Sequence, residues 1–378
     1  MSGNAAHSVR LPNLSVSNFR GIRSLSIGRL GRVTLVGGRN GVGKTTILEA
    51  VRILAERGSL SALSQLLDRR EEFESLVDRD NEKTTVLDYR SLFFDHTAEP
   101  RRTIAIGTRS GEDRLRIELL PALDLSPEEQ EQLWGDFSTE DVLQAIKIVY
   151  RGRVTLLAPA KQSNWSRRRL IHQQLRDRAK NPDVPTVACE SLGPGLPSNR
   201  TVTRMWDRVA LSDEEDLAIR ALRLADPRVE RVALVSDKDS RSFAGAGRRV
   251  LARLQGQRRP VPLKRLGDGA VRLFAAALAL ANSRGGFLLM DEAENGLHYS
   301  VQTRFWNMVL RAAYEYEVQV LATTHSRDCV KGFARAANGM SEVEGVYLRL
   351  EHHGESVRAV EYSEEEIETA AEQDIEVR

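Results

Sequence analysis

Only two cysteines, Cys189 and Cys329, occur in 378 residues. The chain therefore has no disulfide framework and no cysteine spacing of the kind that holds zinc. No apolar run approaches the ~20 residues of a membrane span, and Met1 to Asn13 lacks an apolar core of signal-peptide length. The expectation is a cytoplasmic protein with no membrane partner. Charge of one sign is missing too: the formal net charge is +2, which excludes both a strongly basic coat and a disordered acidic chain. There is no internal repeat and no long heptad array, which excludes a coiled-coil arm. What is present is a chain that is 41% hydrophobic. It can bury a large core, as about two domains or as one discontinuous domain with an insertion.

Residues 38 to 45 read Gly-Arg-Asn-Gly-Val-Gly-Lys-Thr, a complete G-x-x-x-x-G-K-[ST] phosphate loop. Val33 to Val36 predicts a short apolar strand before it. Ile47, Leu48, Val51 and Leu54 predict an amphipathic helix after it. In that order, Gly38, Gly41 and Gly43, with Asn40 between them, let the backbone turn so that successive N–H groups face phosphate oxygens. Lys44 reaches the terminal phosphates as a point charge. Thr45 offers its hydroxyl to Mg²⁺, Thr46 adds a second hydroxyl, and the helix dipole favours an anion. The chemistry implied is binding of ATP with Mg²⁺.

Two later strand ends supply the rest. Phe287 to Met290 ends in Asp291-Glu292, where Asp291 can hold the metal opposite Thr45 and Glu292 can orient or deprotonate the attacking water. Val318 to Thr323 ends in Thr324-His325-Ser326, where His325 can hydrogen-bond the terminal phosphate. The candidate catalytic groups are thus Lys44, Glu292 and His325, and the candidate metal ligands are Thr45 and Asp291.

Strand patterns appear at Leu14, Val16 and Phe19, at Leu25 and Ile27, and as a hairpin of Thr103 to Ile106 with Leu115 to Leu119. Leu60 to Asp80 reads as a mixed helical stretch. Residues 125 to 225 read as mainly helical, with Ser126 and Ser212 resembling N-caps followed by glutamate. Strands return at Val232 to Val235, Val261 to Leu263 and Val346 to Leu350 paired with Val357 to Val360. A last helix starts at Ser363.

The order Asn18-Phe19-Arg20-Gly21, the phosphate loop, Leu266-Gly267-Asp268-Gly269, Asp291-Glu292-Ala293-Glu294-Asn295-Gly296-Leu297-His298 and Thr323-Thr324-His325-Ser326 resembles ABC-class ATPases of the RecF and OLD (overcoming lysogenisation defect) group. More narrowly it is similar to the AAA-type ATPases of bacterial anti-phage systems such as Gabija, Septu and PARIS. The resemblance implies an α/β fold, a P-loop NTPase with an ABC-type ATPase head, its mixed sheet flanked by helices and interrupted by a mainly helical insertion. It implies residues 11–120 as the N-terminal part of the head, 121–228 as the insertion lobe and 229–378 as the C-terminal part. It also implies a homodimer or higher oligomer, head to tail, in which Gly267, Asp268, Gly269 and Arg272 face the nucleotide of the other copy. Here Gly267 and Asp268 depart from the L-S-G-G-Q pattern of transporters.

OLD nucleases append a metal-binding domain. The 53 residues after His325 are short of the usual ~100, so any effector nuclease is expected to be a separate polypeptide. Asp237-Lys238-Asp239 reads as a turn. The run Arg151, Arg153, Lys161, Arg167, Arg168, Arg169, Arg176, Arg178 and Lys180, with Trp165 inside it, suits either a solvated helix face or contact with DNA or RNA. A second basic stretch, Arg248 to Arg265, adjoins the trans motif and can serve the neighbour's nucleotide. The acidic tail, Glu361 to Glu376, suits solvation or docking of a partner. The leading expectation is an ATPase whose ATP-dependent dimerisation gates a nucleic-acid-directed activity in anti-phage defence. A DNA-repair mediator, a transporter ATP-binding subunit and a non-hydrolysing scaffold remain open.

Overall fold

The computed structural model describes residues 9–77, 83–96, 103–111, 113–134, 144–157, 186–236, 248–354, 356–362 and 366. Its centre is a six-stranded sheet. In spatial order it runs β10 (Cys189–Leu192), β14 (Phe287–Met290), β15 (Gln319–Thr323), β3 (Val33–Gly38), β16 (Gly345–His353) and β17 (Ser356–Tyr362). The first five are parallel and β17 returns antiparallel. Strands β3, β14 and β15 are buried at every position. Covered on both faces, they read as unbroken apolar runs rather than as alternation.

One face of this sheet meets α1 (Lys44–Ala55). Val36, Leu289, Leu321 and Leu348 pack there with Ile47, Val51 and Leu54. Beyond α1 lies a second, wholly antiparallel sheet: β2 (Ile22–Ile27), β1 (Leu14–Phe19), β6 (Thr103–Gly107), β7 (Leu115–Pro121), β8 (Gln144–Tyr150) and β9 (Arg153–Leu157). Its Val16, Ile106, Leu115 and Ile148 join the same core. The helix that follows the phosphate loop is thus clamped between two sheets, so burial on both sides fixes the loop.

The opposite face of the central sheet carries α6 (Asp268–Asn282). Around it pack α4 (Asn199–Val209), α5 (Glu215–Ala225) and α7 (Gln302–Glu315), and α8 (Arg327–Asn338) packs on α7. A three-stranded antiparallel sheet, β11 (Val229–Ser236), β12 (Arg248–Leu254) and β13 (Val261–Pro262), leads directly into α6 through a 3-10 turn at Leu263–Leu266.

Several local expectations change. The stretch expected to be mainly helical, 121–228, does hold α3 (Pro127–Trp134), α4 and α5, but also strands β8, β9 and β10. Strands β8 and β9 extend the antiparallel sheet, and the β-branched and aromatic residues of β8 suit a pleated, half-buried surface. Leu60 to Asp80 divides into α2 (Leu60–Arg69) and strand β4 (Phe73–Val77), which pairs with β5 (Lys83–Leu87). Ser126 forms the expected capping box: its amide donates to Glu129 Oε2 at 3.1 Å, and the Glu129 amide donates to Ser126 Oγ at 3.2 Å. Ser212 does not cap α5, because its hydroxyl donates back to the Val209 carbonyl and the helix begins at Glu215. The helix expected from Ser363, the Asp237-Lys238-Asp239 turn and the basic run from Lys161 to Lys180 lie outside the described residues.

Candidate functional site

Strands β3, β15 and β14 lie side by side and parallel, so their C-terminal ends deliver three loops to one edge of the sheet. The first is the phosphate loop. Gly41 and Gly43 adopt φ of 77° and 102°, a left-handed backbone that L side chains rarely take. A Cβ on Gly38 would sit 2.7 Å from the Leu350 carbonyl oxygen, so the strand and its neighbour β16 can close only over glycine. Lys44 is 5% exposed. Its ammonium donates to the carbonyls of Gly38 (2.7 Å) and Arg39 (2.8 Å). Burial pulls its pKa down, while the nearby Asp291, Glu292 and Glu294 carboxylates push it up.

Thr45 Oγ1 donates to the Asp291 carboxylate, 3.0 Å from Oδ2 and 3.2 Å from Oδ1. These residues are 246 positions apart in the sequence. Thr323 Oγ1 also donates to Asp291 Oδ1 at 2.5 Å and accepts from the Glu292 amide at 2.9 Å. Threonine hydroxyls thus hold Asp291 from two sides. Glu292 sits at φ 47°, a left-handed conformation that costs a non-glycine residue roughly 1–3 kcal/mol unless its surroundings enforce it. Asn295 Nδ2 donates to Glu292 Oε2 at 2.5 Å and to the Pro194 carbonyl at 3.1 Å, which fixes the direction of the carboxylate. His325, at the end of β15, has its amide bound to Glu294 Oε1 at 2.8 Å.

Most of these groups line one cleft of about 1120 Å³, whereas Asp291 and Thr323 are not part of its lining and join it through Thr45 and Glu292. Its lining includes Gly38, Asn40, Gly41, Gly43, Lys44, Thr45, Thr46, Glu292, Glu294, Asn295 and His325. The lining also holds an ionic network centred on Arg20, the one member that a sequence motif names. Arg20 donates to both oxygens of Glu72 (2.6 and 3.0 Å) and ion-pairs with Glu49 at 3.1 Å. Ser91 Oγ also donates to Glu72, and Arg70 pairs with Glu49.

The expected trans motif divides in two. Gly267 and Asp268 are exposed and lie outside the cleft lining. Gly269 lets α6 start against the acidic loop, since a Cβ there would come within 2.7 Å of the Gly296 carbonyl oxygen. Arg272 does not reach outward: it is 1% exposed. One terminal nitrogen donates to the carbonyls of Asp291 (2.7 Å) and Glu292 (2.9 Å), and the other to Gly193 (2.6 Å). The physical reason is its place on the buried face of α6, where a charge survives only by satisfying its donors internally. Glu294, Asn295 and Thr323 lay inside quoted motifs without an assigned role. Their signal was adjacency to the acidic pair and the histidine.

A parallel sheet that carries a phosphate loop on one strand and an acidic pair two strands away, joined to an antiparallel sheet across the loop's helix, defines a P-loop NTPase with an ABC-type head. The chain belongs to the family described as "AAA domain, putative AbiEii toxin, Type IV TA system", which matches residues 33–328. Similar solved structures include the SMC head domain from Thermotoga maritima, at 15% identity over 94% of this chain and 100% of that one (TM-score 0.44). Another is the Smc head domain with an extended coiled coil bound to the C-terminal domain of ScpA, from Pyrococcus furiosus, at 13% identity over 96% and 99% (TM-score 0.47). A third, the Smc head domain with a coiled coil and joint from Pyrococcus yayanosii, shows 11% identity over 96% and 99% (TM-score 0.48). No curated protein matches the chain. No helix among the described residues is long and apolar enough to cross a membrane.

Proposed function

We propose that this protein binds ATP with Mg²⁺ in the cleft and hydrolyses it as an ATPase of RecF/OLD type, with two copies head to tail around the nucleotides. The observation that carries this reading is the contact of Thr45 with Asp291 beside Lys44 and Glu292. It joins hydroxyl and carboxylate oxygens from opposite ends of the chain, the donor set that Mg²⁺ takes while keeping several waters. Bound there, the metal would neutralise charge on the terminal phosphates. Thr45 and Asp291 would hold it, and the loop amides from Asn40 to Thr46 with Lys44 would bind the triphosphate. Glu292, aimed by Asn295, would orient the attacking water and take its proton. His325 would contact the terminal phosphate. Gly267 and Asp268, exposed and outside their own cleft, support a role against a second copy.

The family description names a toxin–antitoxin system, which supports a protein partner outside this chain. On this reading the ATP cycle gates a separate effector nuclease in anti-phage defence. Lys44→Ala is expected to abolish nucleotide binding in calorimetry. Glu292→Gln is expected to keep binding, cut turnover at least about 100-fold and accumulate dimers in light scattering with ATP and Mg²⁺. Full turnover by Lys44→Ala would refute the site. Monomers only, with ATP bound to Glu292→Gln, would refute the shared arrangement.

A further inference from the structure

From Ser240 to Gly267 the chain carries eight cations and no acid, in a molecule whose net charge is only +2. The fold gathers part of this excess on one surface. In the β11–β12–β13 sheet, Val232, Val250, Ala252 and Leu254 face inward and are buried, while Arg231, Ala233, Val235, Arg249 and Arg253 face outward and are exposed. Arg231 stands directly opposite Arg253 across the strands, and Val235 opposite Arg249. Opposed like charges on neighbouring strands destabilise a sheet. Only Arg253 has a counter-charge in the pair, Glu230 at 3.3 Å on an exposed rim. Arg258 and Arg259 lie exposed on the turn that leaves the same end of β12. Among the described residues, the Arg231, Arg258 and Arg259 side chains have no acidic partner. Guanidinium groups held together with no acidic partner among the described residues suit an anion that supplies the counter-charge.

We infer that this face binds the phosphate backbone of duplex DNA. Guanidinium forks match phosphate oxygens, and the aliphatic positions between them, Ala233, Val235 and Leu251, present a flat surface to the sugars. No aromatic side chain stands at the outward strand positions, so the stacking on which single-strand binding depends is absent. No hydroxyl or amide side chain stands at those strand positions; the nearest exposed amides, Gln255 and Gln257, sit on the turn beside Arg258, and duplex RNA is the competitor that tests whether they read 2′-hydroxyls. Contact is therefore to phosphates and independent of sequence. The surface continues through β13 and the Leu263–Leu266 turn into α6, whose Arg272 holds the acidic pair. It lies apart from the nucleotide cleft, and the inference stands whether or not ATP is hydrolysed.

The test is fluorescence anisotropy of a labelled mixed-sequence DNA duplex over a salt series. It uses the full chain, the combined Arg231→Ala, Arg258→Ala and Arg259→Ala variant, and Lys44→Ala. The wild type should bind with a steep salt dependence. The triple variant should weaken binding by about tenfold or more and lower the log–log salt slope by about 2–3, with an unchanged thermal melting temperature. Arg258→Lys with Arg259→Lys should retain most of the slope. Lys44→Ala should bind duplex as the wild type does without ATP, which separates this face from the nucleotide site. The inference is overturned if the wild type does not bind duplex DNA or the triple variant binds equally well. It is also overturned if single strands, duplex RNA or polyglutamate compete better than duplex DNA; the polyglutamate outcome would mark a surface for an acidic protein.

Discussion

Removing the Arg272 guanidinium would leave the half-buried Asp291 carbonyl without its side-chain donor, whereas the Glu292 carbonyl keeps the Asn295 amide and the exposed Gly193 carbonyl meets water. Such an orphan costs about 1–3 kcal/mol. Arg272→Met, which keeps the aliphatic stem, is therefore expected to lower unfolding stability by about 1–3 kcal/mol in urea titration, and to slow turnover by loosening Glu292. A variant as stable as the wild type would show that the carbonyl finds another donor. At this scale the sequence was legible where local grammar is strict: Lys44, Thr45, Asp291, Glu292 and His325 sit at positions that the motifs name, and the first four converge within one hydrogen-bonded group or its immediate field. Arg272 was misassigned, though a signal existed. It is the only charge between Ala270 and Asn282, in an otherwise apolar stretch, and a lone arginine there must be buried and internally bonded.

Between elements, α6 approaches the loop after β14 closely at the site. Gly269→Ala would push a methyl to within 2.7 Å of the Gly296 carbonyl oxygen, backbone that cannot rotate away. The expected cost is about 1–3 kcal/mol, read as a lower melting temperature, together with weaker ATP-dependent dimerisation. Unchanged melting would mean that the helix start shifts freely. The parallel core strands were legible as apolar runs, and the antiparallel pair around Arg109 as alternation. Strand β10 was not, because Cys189–Leu192 is four residues at a sheet edge, with Glu190 turned outward to Arg204 and Arg208. Such a strand is set by its partner β14 rather than by its own pattern. Strand β8 does alternate, with Ile146, Ile148 and Tyr150 pointing inward, whereas β9 shows no alternation and is set by its pairing with β8.

For the molecule as a whole, burial pushes both the Cys189 and Cys329 thiols up to about 12. A raised pKa means that the native state resists ionisation, so this contribution to stability is complete below the ordinary thiol value of 9.0. It is lost as pH climbs from there towards about 12. Because the thiolate is the reactive form, alkylation at about pH 8 should be slow in the folded protein and rapid for both thiols after unfolding. Mass spectrometry of the labelled chain checks this, and fast labelling of the native protein would contradict it.

The two ties made by α6, a glycine resting on the acidic loop and an arginine fastened under the acidic pair, act at the first turns of one stiff rod. Nothing compliant lies between the floor of the pocket and the bare turn at Gly267. A displacement of the carboxylates on filling or emptying the pocket would therefore be expected to carry the start of α6 with it.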